Sequence, residues 1–385
     1  MESKKKIAVF TSARSEYGPL KPLIQSLFNH DQFETQLLVG GGHFSHEQGF
    51  TYQEIIQDGF EIHTQLPFLI NDLNPAGVVR SNGLLTIQCA DYFEREKPDL
   101  LIVLGDRSEL IPIVSAALIL SIPIAHLSGG EVTEGASDNQ IRHAVSKMSH
   151  VHFPATEIYK ENLIRMGEES WRIAVVGEPS LDSVLSLKLP SKEAFYDQYG
   201  IPQNAKLLLA TLHSETIHNT ISAEFIQNLI SSLIDQGKYH ILFTAANTDI
   251  GGKEINDTLE KIAEKYPQVT FVRSLGKTNY YAALQHAEVV LGNSSSGLIE
   301  AQSFQVPVIN VGSRQDGRLR NPNVLDVPVN VTAIVQALND VEKDEFKMLY
   351  QNKSNIFGDG KASERIIKFI DELPWEDLIL KKSTY

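Results

Sequence analysis

The chain has 385 residues, of which 42% are hydrophobic and 21% are charged. This is an ordinary globular composition, and the length predicts two domains of normal size. Acidic residues outnumber basic ones by 48 to 34, which gives a formal net charge of -14 at pH 7. Such a balance excludes broad binding to nucleic acid or to anionic membranes, because either partner would repel the chain. A small anionic ligand is still compatible, since a few arginines can hold it.

The sequence contains one cysteine, Cys89, so no disulfide can form within the chain. We therefore expect a reducing, cytoplasmic location. The basic N-terminus precedes an apolar run that is too short for a secretion signal. The longest apolar stretch, residues 110–127, contains Pro112 and Pro123. It predicts a buried helix and then a buried strand, and not a membrane span.

Short apolar runs alternate with stretches of helical spacing along the whole chain. Strands are predicted at residues 7–11, 35–39, 100–104, 123–127, 152–154 and 173–176, and then at 207–212, 240–244, 269–272, 289–291 and 306–311. Helices are predicted to include residues 20–28, 84–96, 225–234 and 280–286. This alternation predicts an α/β fold with two doubly wound, Rossmann-like domains built on parallel sheets. We place the first domain at residues 1–182, the second at 183–361 and a C-terminal segment at 362–385.

Ligands of doubly wound sheets bind beyond the carboxyl ends of the strands, so the residues after each strand are the candidates. After the first strand, a polar turn with Arg14 leads to a predicted helix start at Pro19. Arg14 contacts an anion or lies in a solvated loop. After the second strand, three glycines and His43 indicate either a close backbone approach to a ligand or a mobile surface loop.

The strand at 100–104 is followed by Asp106 and Arg107. Asp106 is a candidate acid or base, with a helix N-cap as the alternative. Arg107 could bind phosphate or pair with a carboxylate. The loop at 129–138 carries Glu131 and Asp138. We favour an acid/base cluster with Asp106 over a solvated loop.

In the second half, His213 follows a strand and could hydrogen-bond a phosphate, move a proton or be structural. Asn247 occupies the corresponding turn after the next strand. Arg314 follows the last predicted strand and could reach the same phosphate-bearing ligand as His213.

The segment 292–300 joins a buried strand to a helix through glycines and serines. Backbone N–H groups near Ser294 and Ser295 suit a phosphate, and Glu300 could accept two ribose hydroxyls. A plain serine N-cap is the alternative. The sequence shows no His/Cys metal pattern and no Gly-x-Gly-x-x-Gly after the first strand. We therefore expect no metal and no cofactor.

Taken in order, these segments resemble the UDP-N-acetylglucosamine 2-epimerase family, and most closely its hydrolysing branch, of the sialic and legionaminic acid pathway type. The marks are residues 14–18, 105–107, 129–131 with Asp138, Arg142 with His143, His213, 292–300 and 312–315. The resemblance implies the glycosyltransferase-B arrangement, with two Rossmann-like domains facing a cleft and a C-terminal helix returning to the first domain. It also implies a homodimer or homotetramer.

The resemblance assigns roles residue by residue. UDP contacts fall to Arg14, Arg107, His213, Asn247, Ser294, Ser295, Glu300 and Arg314, and further substrate contacts to Arg142 and His143. The catalytic set comprises Asp106, Glu131 and Asp138, with His213 as a further candidate. Many relatives carry acids where this chain has Ser128 and Ser137, so the acid roles shift to Glu131 and Asp138 here.

The implied reaction removes UDP from a UDP-2-acetamido sugar, inverts C2 and adds water, releasing a free manno-configured sugar. UDP-N-acetylglucosamine and UDP-N,N'-diacetylbacillosamine both fit this chemistry. The alternatives are a non-hydrolysing epimerase, a glycosyltransferase of the same fold and a non-catalytic UDP-sugar sensor.

Overall fold

A computed structural model describes residues 4–46, 49–70, 74–133, 137–214, 221–246 and 251–382. The chain divides into two compact units: unit 1 comprises Met1–Leu185 and Phe357–Tyr385, and unit 2 comprises Ser186–Ile356. Each unit contains one six-stranded sheet in which every recorded strand pair is parallel. The predicted α/β class with two parallel sheets is confirmed.

Unit 1 has the strand order β3-β2-β1-β4-β5-β6. Its strands are β1 (Lys5–Thr11), β2 (Phe33–Gly40), β3 (Thr64–Leu66), β4 (Leu100–Leu104), β5 (Ile124–Leu127) and β6 (Val151–Phe153). Its helices before the unit boundary are α1 (Arg14–Phe28), α2 (Tyr52–Gln57), α3 (Pro75–Glu96), α4 (Leu110–Ile119), α5 (Ser137–Met148) and α6 (Glu157–Arg165). Helix α7 (Asp182–Ser186) contains the boundary itself.

Unit 2 has the strand order β12-β11-β10-β7-β8-β9. Its strands are β7 (Leu207–Thr211), β8 (His240–Thr244), β9 (Val269–Val272), β10 (Ala287–Gly292), β11 (Val308–Val311) and β12 (Val324–Val327). Its helices are α8 (Lys192–Tyr199), α9 (Ala223–Gln236), α10 (Gly252–Lys265), α11 (Gly276–His286), α12 (Ser295–Ile299), α13 (Val331–Asp340) and α14 (Asp344–Tyr350).

The last helix, α15 (Ala362–Asp371), belongs to unit 1 and packs against α1. The carboxylate of Asp182 accepts hydrogen bonds from the N–H groups of Ala362 and Ser363, at 2.8 and 2.7 Å, and so caps this helix. The buried Arg172 then donates to the carbonyl oxygens of Leu378 and Leu380. These bonds attach the C-terminal segment to unit 1.

The core of unit 1 has two parts, one on each face of the sheet, because the side chains of a strand alternate between the two faces. Successive residues of β1 point to opposite faces of the sheet. Ile7 and Val9 join a cluster that includes α1 and α15, whereas Ala8 and Phe10 join a second cluster with α3 and α4. Both faces of the sheet are therefore covered, and this is why its strands read as continuous apolar runs.

Strands at 100–104, 240–244 and 269–272 have the predicted bounds, and the other confirmed strands differ by up to two residues at an end. The predicted strand at 173–176 is wrong, because only Ile173 forms an isolated bridge, to His152. The neighbouring strand β6 is three residues long, and Gly177, at φ 94°, then turns the chain. Strands β3 and β12 were not predicted.

The helix start predicted at Pro19 is also wrong, because α1 begins at Arg14. The carboxylate of Glu16, the third residue of the helix, accepts hydrogen bonds from the N–H groups of Ser12 and Ala13 and fixes the first turn. Pro19 therefore lies inside the helix.

No helix in the described ranges combines the length and the apolar character that crossing a bilayer requires.

Gly292 ends β10 at φ 151°, where a Cβ atom would lie 1.9 Å from the carbonyl oxygen of Thr211 in β7. We expect Gly292→Ala to lower the free energy of unfolding by at least about 3 kcal/mol, because backbone atoms of two paired strands must separate. Gly18→Ala is the matched control, since a Cβ atom added at this position of α1 would meet nothing within 4 Å. We expect it to be neutral or to stabilise by up to about 1 kcal/mol. Urea unfolding curves measure both, and equal stability of the two variants would contradict the clash.

Candidate active site

Three neighbouring strands of unit 1, β1, β4 and β5, end at the same edge of the sheet. Polar segments follow each of them, at residues 12–16, 105–109 and 128–131. Parallel strands bring their carboxyl ends together, so this edge carries Asp106 and Glu131, two of the three acid and base residues predicted in the first half of the chain.

Asp106 and Arg142 form the central ion pair of this edge. The Oδ2 atom of Asp106 accepts a hydrogen bond from Nη2 of Arg142, which is only 2% exposed. Arg142 also donates from Nη1 to the hydroxyl of Thr133, at 3.0 Å. A buried guanidinium charge needs a counter-charge, so this pair fixes the loop after β4 to helix α5. The N-cap interpretation of Asp106 is wrong, because Glu109 occupies the N-cap position of α4.

The backbone just before Asp106 is held by His126 of β5. The Nε2 atom of His126 lies 2.7 Å from the carbonyl oxygen of Gly105, and Nδ1 lies 3.0 Å from the hydroxyl of Ser146. Burial lowers the pKa of His126 to about 3. The ring is therefore neutral and donates one proton, and the short contact to a carbonyl places that proton on Nε2.

Glu131 follows β5 in a tight segment. Gly130 adopts φ 79°, and a Cβ atom there would lie 2.3 Å from the carbonyl oxygen of Tyr159. The carbonyl oxygen of Gly130 accepts a hydrogen bond from the side chain of Asn162, at 2.9 Å. Glu131 is buried, so the solvated-loop interpretation is wrong for this residue. Asp138, by contrast, is exposed in the first turn of α5.

On the same helix, His143 stands one position after Arg142. Burial lowers the pKa of His143, and the charge of Arg142 acts in the same direction. The buried Nδ1 atom of His143 has no hydrogen-bond partner. The ring is therefore a neutral group with an unused polar atom, close enough to Arg142 to feel its charge.

Arg107 lies between two carboxylates. Its Nη2 atom is 2.7 Å from Oε1 of Glu109, and its Nε atom is 3.8 Å from Oε1 of Glu16. The side chain is 43% exposed, so part of the guanidinium is open to solvent. Arg14, at the start of α1, pairs with Glu54 at 3.1 Å, and both side chains are half-exposed. Both arginines can therefore exchange a carboxylate partner for an anionic ligand.

The Gly-rich segment after β2 is neither a surface loop nor open to solvent. Residues Gly41–Phe44 form a short 3-10 helix, and His43 is fully buried. The ring nitrogens of His43 lie 3.0 Å from the hydroxyl of Thr11 and 2.8 Å from that of Thr51. Burial lowers the pKa of His43 to about 4, so the ring is neutral. It serves as a structural group next to the end of β1, which leads into the first turn of α1.

In unit 2, Asn293 connects the ends of three strands. Its side chain accepts from the N–H of His213 at 2.8 Å and donates to the carbonyl oxygen of His213 at 2.9 Å. Its own carbonyl oxygen accepts from Arg314 at 3.2 Å and from Gln315 at 2.8 Å. Asn293 is fully buried, so it fixes both predicted ligand-binding residues through a neutral amide.

Beyond Asn293, Ser294 takes the N-cap position of the five-residue helix α12, without a side-chain capping bond, and Ser295 begins the helix. The alternative of a serine N-cap therefore holds for the position of Ser294, but its side chain makes no capping hydrogen bond to α12. Glu300 lies just after the helix, not within it, and its carboxylate accepts from Ser296 at 2.6 Å and from Tyr281 at 3.2 Å. This carboxylate is oriented by two hydroxyl donors.

The structure thus gathers Asp106, Arg107, Glu131 and Arg142 at one edge of unit 1, and His213, Ser294 and Arg314 at one edge of unit 2. Asn247 lies outside the described residues. Three residues that hold these groups were not singled out from the sequence: Glu16, His126 and Asn293. Glu16 supplies only half of a capping-box signal, because the N-cap position holds Ala13 where that motif has Ser or Thr. The pairings of the other two become visible only in the fold.

Among the described residues, no cluster of three or more His, Cys, Asp or Glu side chains is arranged to hold a metal ion.

The chain is thus an α/β protein with two parallel sheets whose strand ends carry charged and polar groups. The family model described as UDP-N-acetylglucosamine 2-epimerase matches residues 25–371. The chain belongs to this family.

Two curated relatives match nearly the whole chain. The UDP-N,N'-diacetylbacillosamine 2-epimerase (hydrolyzing) of Legionella pneumophila is 35% identical over 98% of this chain and 98% of the relative. The GDP/UDP-N,N'-diacetylbacillosamine 2-epimerase (hydrolyzing) of Campylobacter jejuni is 34% identical over 90% of this chain and 89% of the relative. The crystal structure of UDP-GlcNAc 2-epimerase from Neisseria meningitidis bound to UDP-GlcNAc has a similar fold, with a TM-score of 0.83 and 20% identity. That match covers 96% of this chain and all of the other.

Burial raises the pKa of Glu16 from 4.5 to about 7, although Arg107 and the Ser12 N–H oppose the shift. A carboxyl with a raised pKa contributes stability below its unfolded pKa and loses it as the pH rises through the folded pKa. Glu16→Gln removes this titration. We therefore expect wild-type stability to fall relative to the variant between pH 5 and 8, by up to about 3 kcal/mol. Urea unfolding of both proteins across this pH range measures the difference in their free energies of unfolding. A wild type that gains stability relative to Glu16→Gln as the pH rises would contradict the expectation.

Proposed function

We propose that the protein is a hydrolysing 2-epimerase, which converts a UDP-2-acetamido sugar to the free manno-configured sugar and UDP for nonulosonic acid synthesis. The observation that carries this proposal is the Asp106–Arg142 pair at the carboxyl edge of unit 1, where Arg107 follows Asp106 in the chain and Glu131 follows the neighbouring strand β5. The carboxylates of this edge can exchange protons, and its arginines can hold an anionic leaving group.

The comparisons support this activity class. The two relatives at 35% and 34% identity are both named as hydrolysing 2-epimerases. Their names favour UDP-N,N'-diacetylbacillosamine as the first substrate to test. A relative from Neisseria meningitidis, 30% identical, is named UDP-N-acetylglucosamine 2-epimerase, so this sugar is the second.

In this proposal unit 1 performs the acid/base chemistry. Asp106, Glu131 and Asp138 form the pool of proton-transferring groups, and His213 of unit 2 is a further candidate. Arg142 fixes Asp106 and, with His143, lies on the sugar side. Arg14 and Arg107 exchange their carboxylate partners for the diphosphate.

Unit 2 is proposed to bind the UDP moiety. Ser294 and Ser295 present N–H groups at the start of α12, and Arg314 adds a positive charge. Glu300, already oriented by Ser296 and Tyr281, is suited to accept ribose hydroxyls. Asn247 is assigned to the same ligand by family resemblance alone.

The proposed reaction balances without an external oxidant or reductant. A carboxylate takes the proton from C2 while the bond between C1 and the UDP oxygen breaks, and the bonding electrons leave with UDP. A double bond forms between C1 and C2. A second acid then protonates C2 on the opposite face, which leaves an oxocarbenium ion at C1. Water bonds to C1 through its oxygen and gives up one proton to the conjugate base of that acid, so the free sugar forms and the acid is restored. Positive charges and N–H donors around the departing diphosphate stabilise it by several kcal/mol, which is the scale for such groups.

Three other functions share this fold and predict different products. A non-hydrolysing epimerase returns a UDP-sugar, a glycosyltransferase requires an acceptor, and a non-catalytic sensor binds UDP-sugar without turnover. A coupled assay for UDP release, run without an acceptor on both candidate sugars, separates all three from the proposal. UDP release together with a free manno-configured sugar is the expected result.

We expect Asp106→Asn to lower the rate of UDP release by at least about a hundredfold, because the amide cannot accept the C2 proton. UDP binding should persist, since the predicted UDP contacts are other residues. Asp99→Asn is the matched control, because Asp99 precedes β4 whereas Asp106 follows it. Asp99 accepts hydrogen bonds from the N–H of Lys6 at 2.8 Å and from the ammonium group of Lys5 at 3.2 Å. Steady-state kinetics and UDP titration measure both. Turnover at the wild-type rate would remove Asp106 from the mechanism.

We further propose a cytoplasmic location. The single cysteine, Cys89, is buried in unit 1 as a free thiol, and burial raises its pKa to about 12. A chain without a disulfide and with an inert thiol suits a reducing compartment.

We also propose a homo-oligomer, either a dimer or a tetramer. Helix α3 presents an apolar stripe to solvent at helical spacing, comprising Ala76, Val79, Gly83, Ile87 and Ala90. Val79 and Ile87 are 71% and 62% exposed. The solvent face of a surface helix is normally polar, and a twofold contact would bury the same stripe from each copy.

We expect Val79→Glu combined with Ile87→Glu to shift the protein to monomers, because the contact would bury four like charges. Sedimentation velocity measures this. Ile158→Glu is the control, since Ile158 is also half-exposed but lies on α6. An unchanged oligomer in the double variant, or a monomeric wild type, would contradict the assignment of this face.

A further inference from the structure

Glu16 is a buried carboxylate whose two oxygens differ sharply in their surroundings. The residue is 5% exposed. Its Oε2 atom accepts three hydrogen bonds, from the N–H of Ser12 at 2.7 Å, its hydroxyl at 3.0 Å and the N–H of Ala13 at 3.1 Å. Its Oε1 atom is buried without a hydrogen-bond partner, and the nearest cation is Arg107, at 3.8 Å. A capping role explains Oε2 but leaves Oε1 unexplained.

The charged groups that face Glu16 come from two strand ends. Arg107 and Glu109 follow β4, and Glu109 holds the same guanidinium at 2.7 Å. Asp106, next to Arg107, adds a further negative charge near that guanidinium. His43 lies behind the first turn and is neutral, because burial lowers its pKa to about 4. Arg107 is therefore the one cation that opposes the burial of Glu16 among the groups identified at this edge of the described structure.

We infer that Glu16 is a proton-coupled positioning residue, which holds the first turn through Oε2 and takes up a proton when a diphosphate engages Arg107. This inference rests on the proposed function, which makes Arg107 a diphosphate contact. The bound phosphates would redirect the guanidinium and add negative charge beside Oε1. Both effects favour the neutral carboxylic acid, whose O–H could then donate to a phosphate oxygen.

The energetic balance permits such a switch. Burial already raises the pKa of Glu16 to about 7, with Arg107 as the largest opposing influence. When the diphosphate draws Arg107 away, the pKa of Glu16 rises further, so the uptake of a proton takes place above pH 7. The affinity for UDP should accordingly weaken as the pH rises, because ionised Glu16 must be protonated before or during binding.

Isothermal titration of the full-length protein with UDP at pH 8, in two buffers of different ionisation enthalpy, counts the protons taken up. The terminal phosphate of free UDP, with a second pKa of about 6, is already ionised at this pH. We expect the wild type to take up roughly half a proton per UDP. Glu16→Gln should bind UDP with uptake reduced nearly to zero. Glu54→Gln is the matched control: it removes the carboxylate that pairs with Arg14 and should leave the uptake in place.

A merely structural capping residue would change stability and affinity but not the number of protons. Equal uptake in the wild type and Glu16→Gln, or no uptake in the wild type, would overturn the inference while leaving the proposed function intact. Absence of UDP binding in the wild type would instead overturn the proposed function and this inference with it. If Glu16→Gln does not fold, the wild-type Kd for UDP between pH 7 and 9 decides: a rise of about tenfold supports the inference, and a constant Kd overturns it.

Discussion

The buried guanidinium of Arg142 is the constraint on which the candidate active-site edge of unit 1 depends. Arg142 is 2% exposed, and its ion-pair partner is Asp106, on the loop after β4. Removing one partner of a buried ion pair typically costs about 3–5 kcal/mol, so the loop and helix α5 are fixed to each other. His126 adds a second attachment through the Gly105 carbonyl. The carboxylate is therefore preorganised at the position where the proposed proton transfer takes place.

The two units hold their strand ends by different chemistry, and this difference supports the proposed division of labour. Unit 1 uses ionisable groups, with Arg107 held by Glu109 and Asp106 held by Arg142. Unit 2 uses a neutral amide, Asn293, to hold His213 and Arg314. Carboxylates can exchange protons with a substrate, whereas a neutral scaffold around an arginine and serine N–H groups is suited to bind a diphosphate without reacting with it.

Most strands could be predicted because strands covered on both faces read as continuous apolar runs. The start of α1 was misplaced because Pro19 was taken as its first residue, whereas the capping bonds of Glu16 place the start at Arg14. Strand-end position singled out Asp106 as a functional candidate, whereas Arg142, on helix α5, was named by family resemblance. Their pairing joins residues 36 apart in the sequence, and only the fold determines which arginine meets which carboxylate. The unpartnered oxygen of Glu16 was invisible for the same reason.

Product analysis after turnover in heavy water shows whether the C2 proton exchanges with solvent while UDP departs, which is the reaction proposed for the carboxylates at the edge of unit 1. Mass spectrometry and NMR of the sugar from UDP-N,N'-diacetylbacillosamine or UDP-N-acetylglucosamine locate the deuterium. We expect a free manno-configured sugar with one deuterium at C2. In oxygen-18 water we expect UDP without the label, because the C1–O bond breaks. A sugar with unlabelled C2, or label in the UDP phosphate, would rule out the proposed reaction.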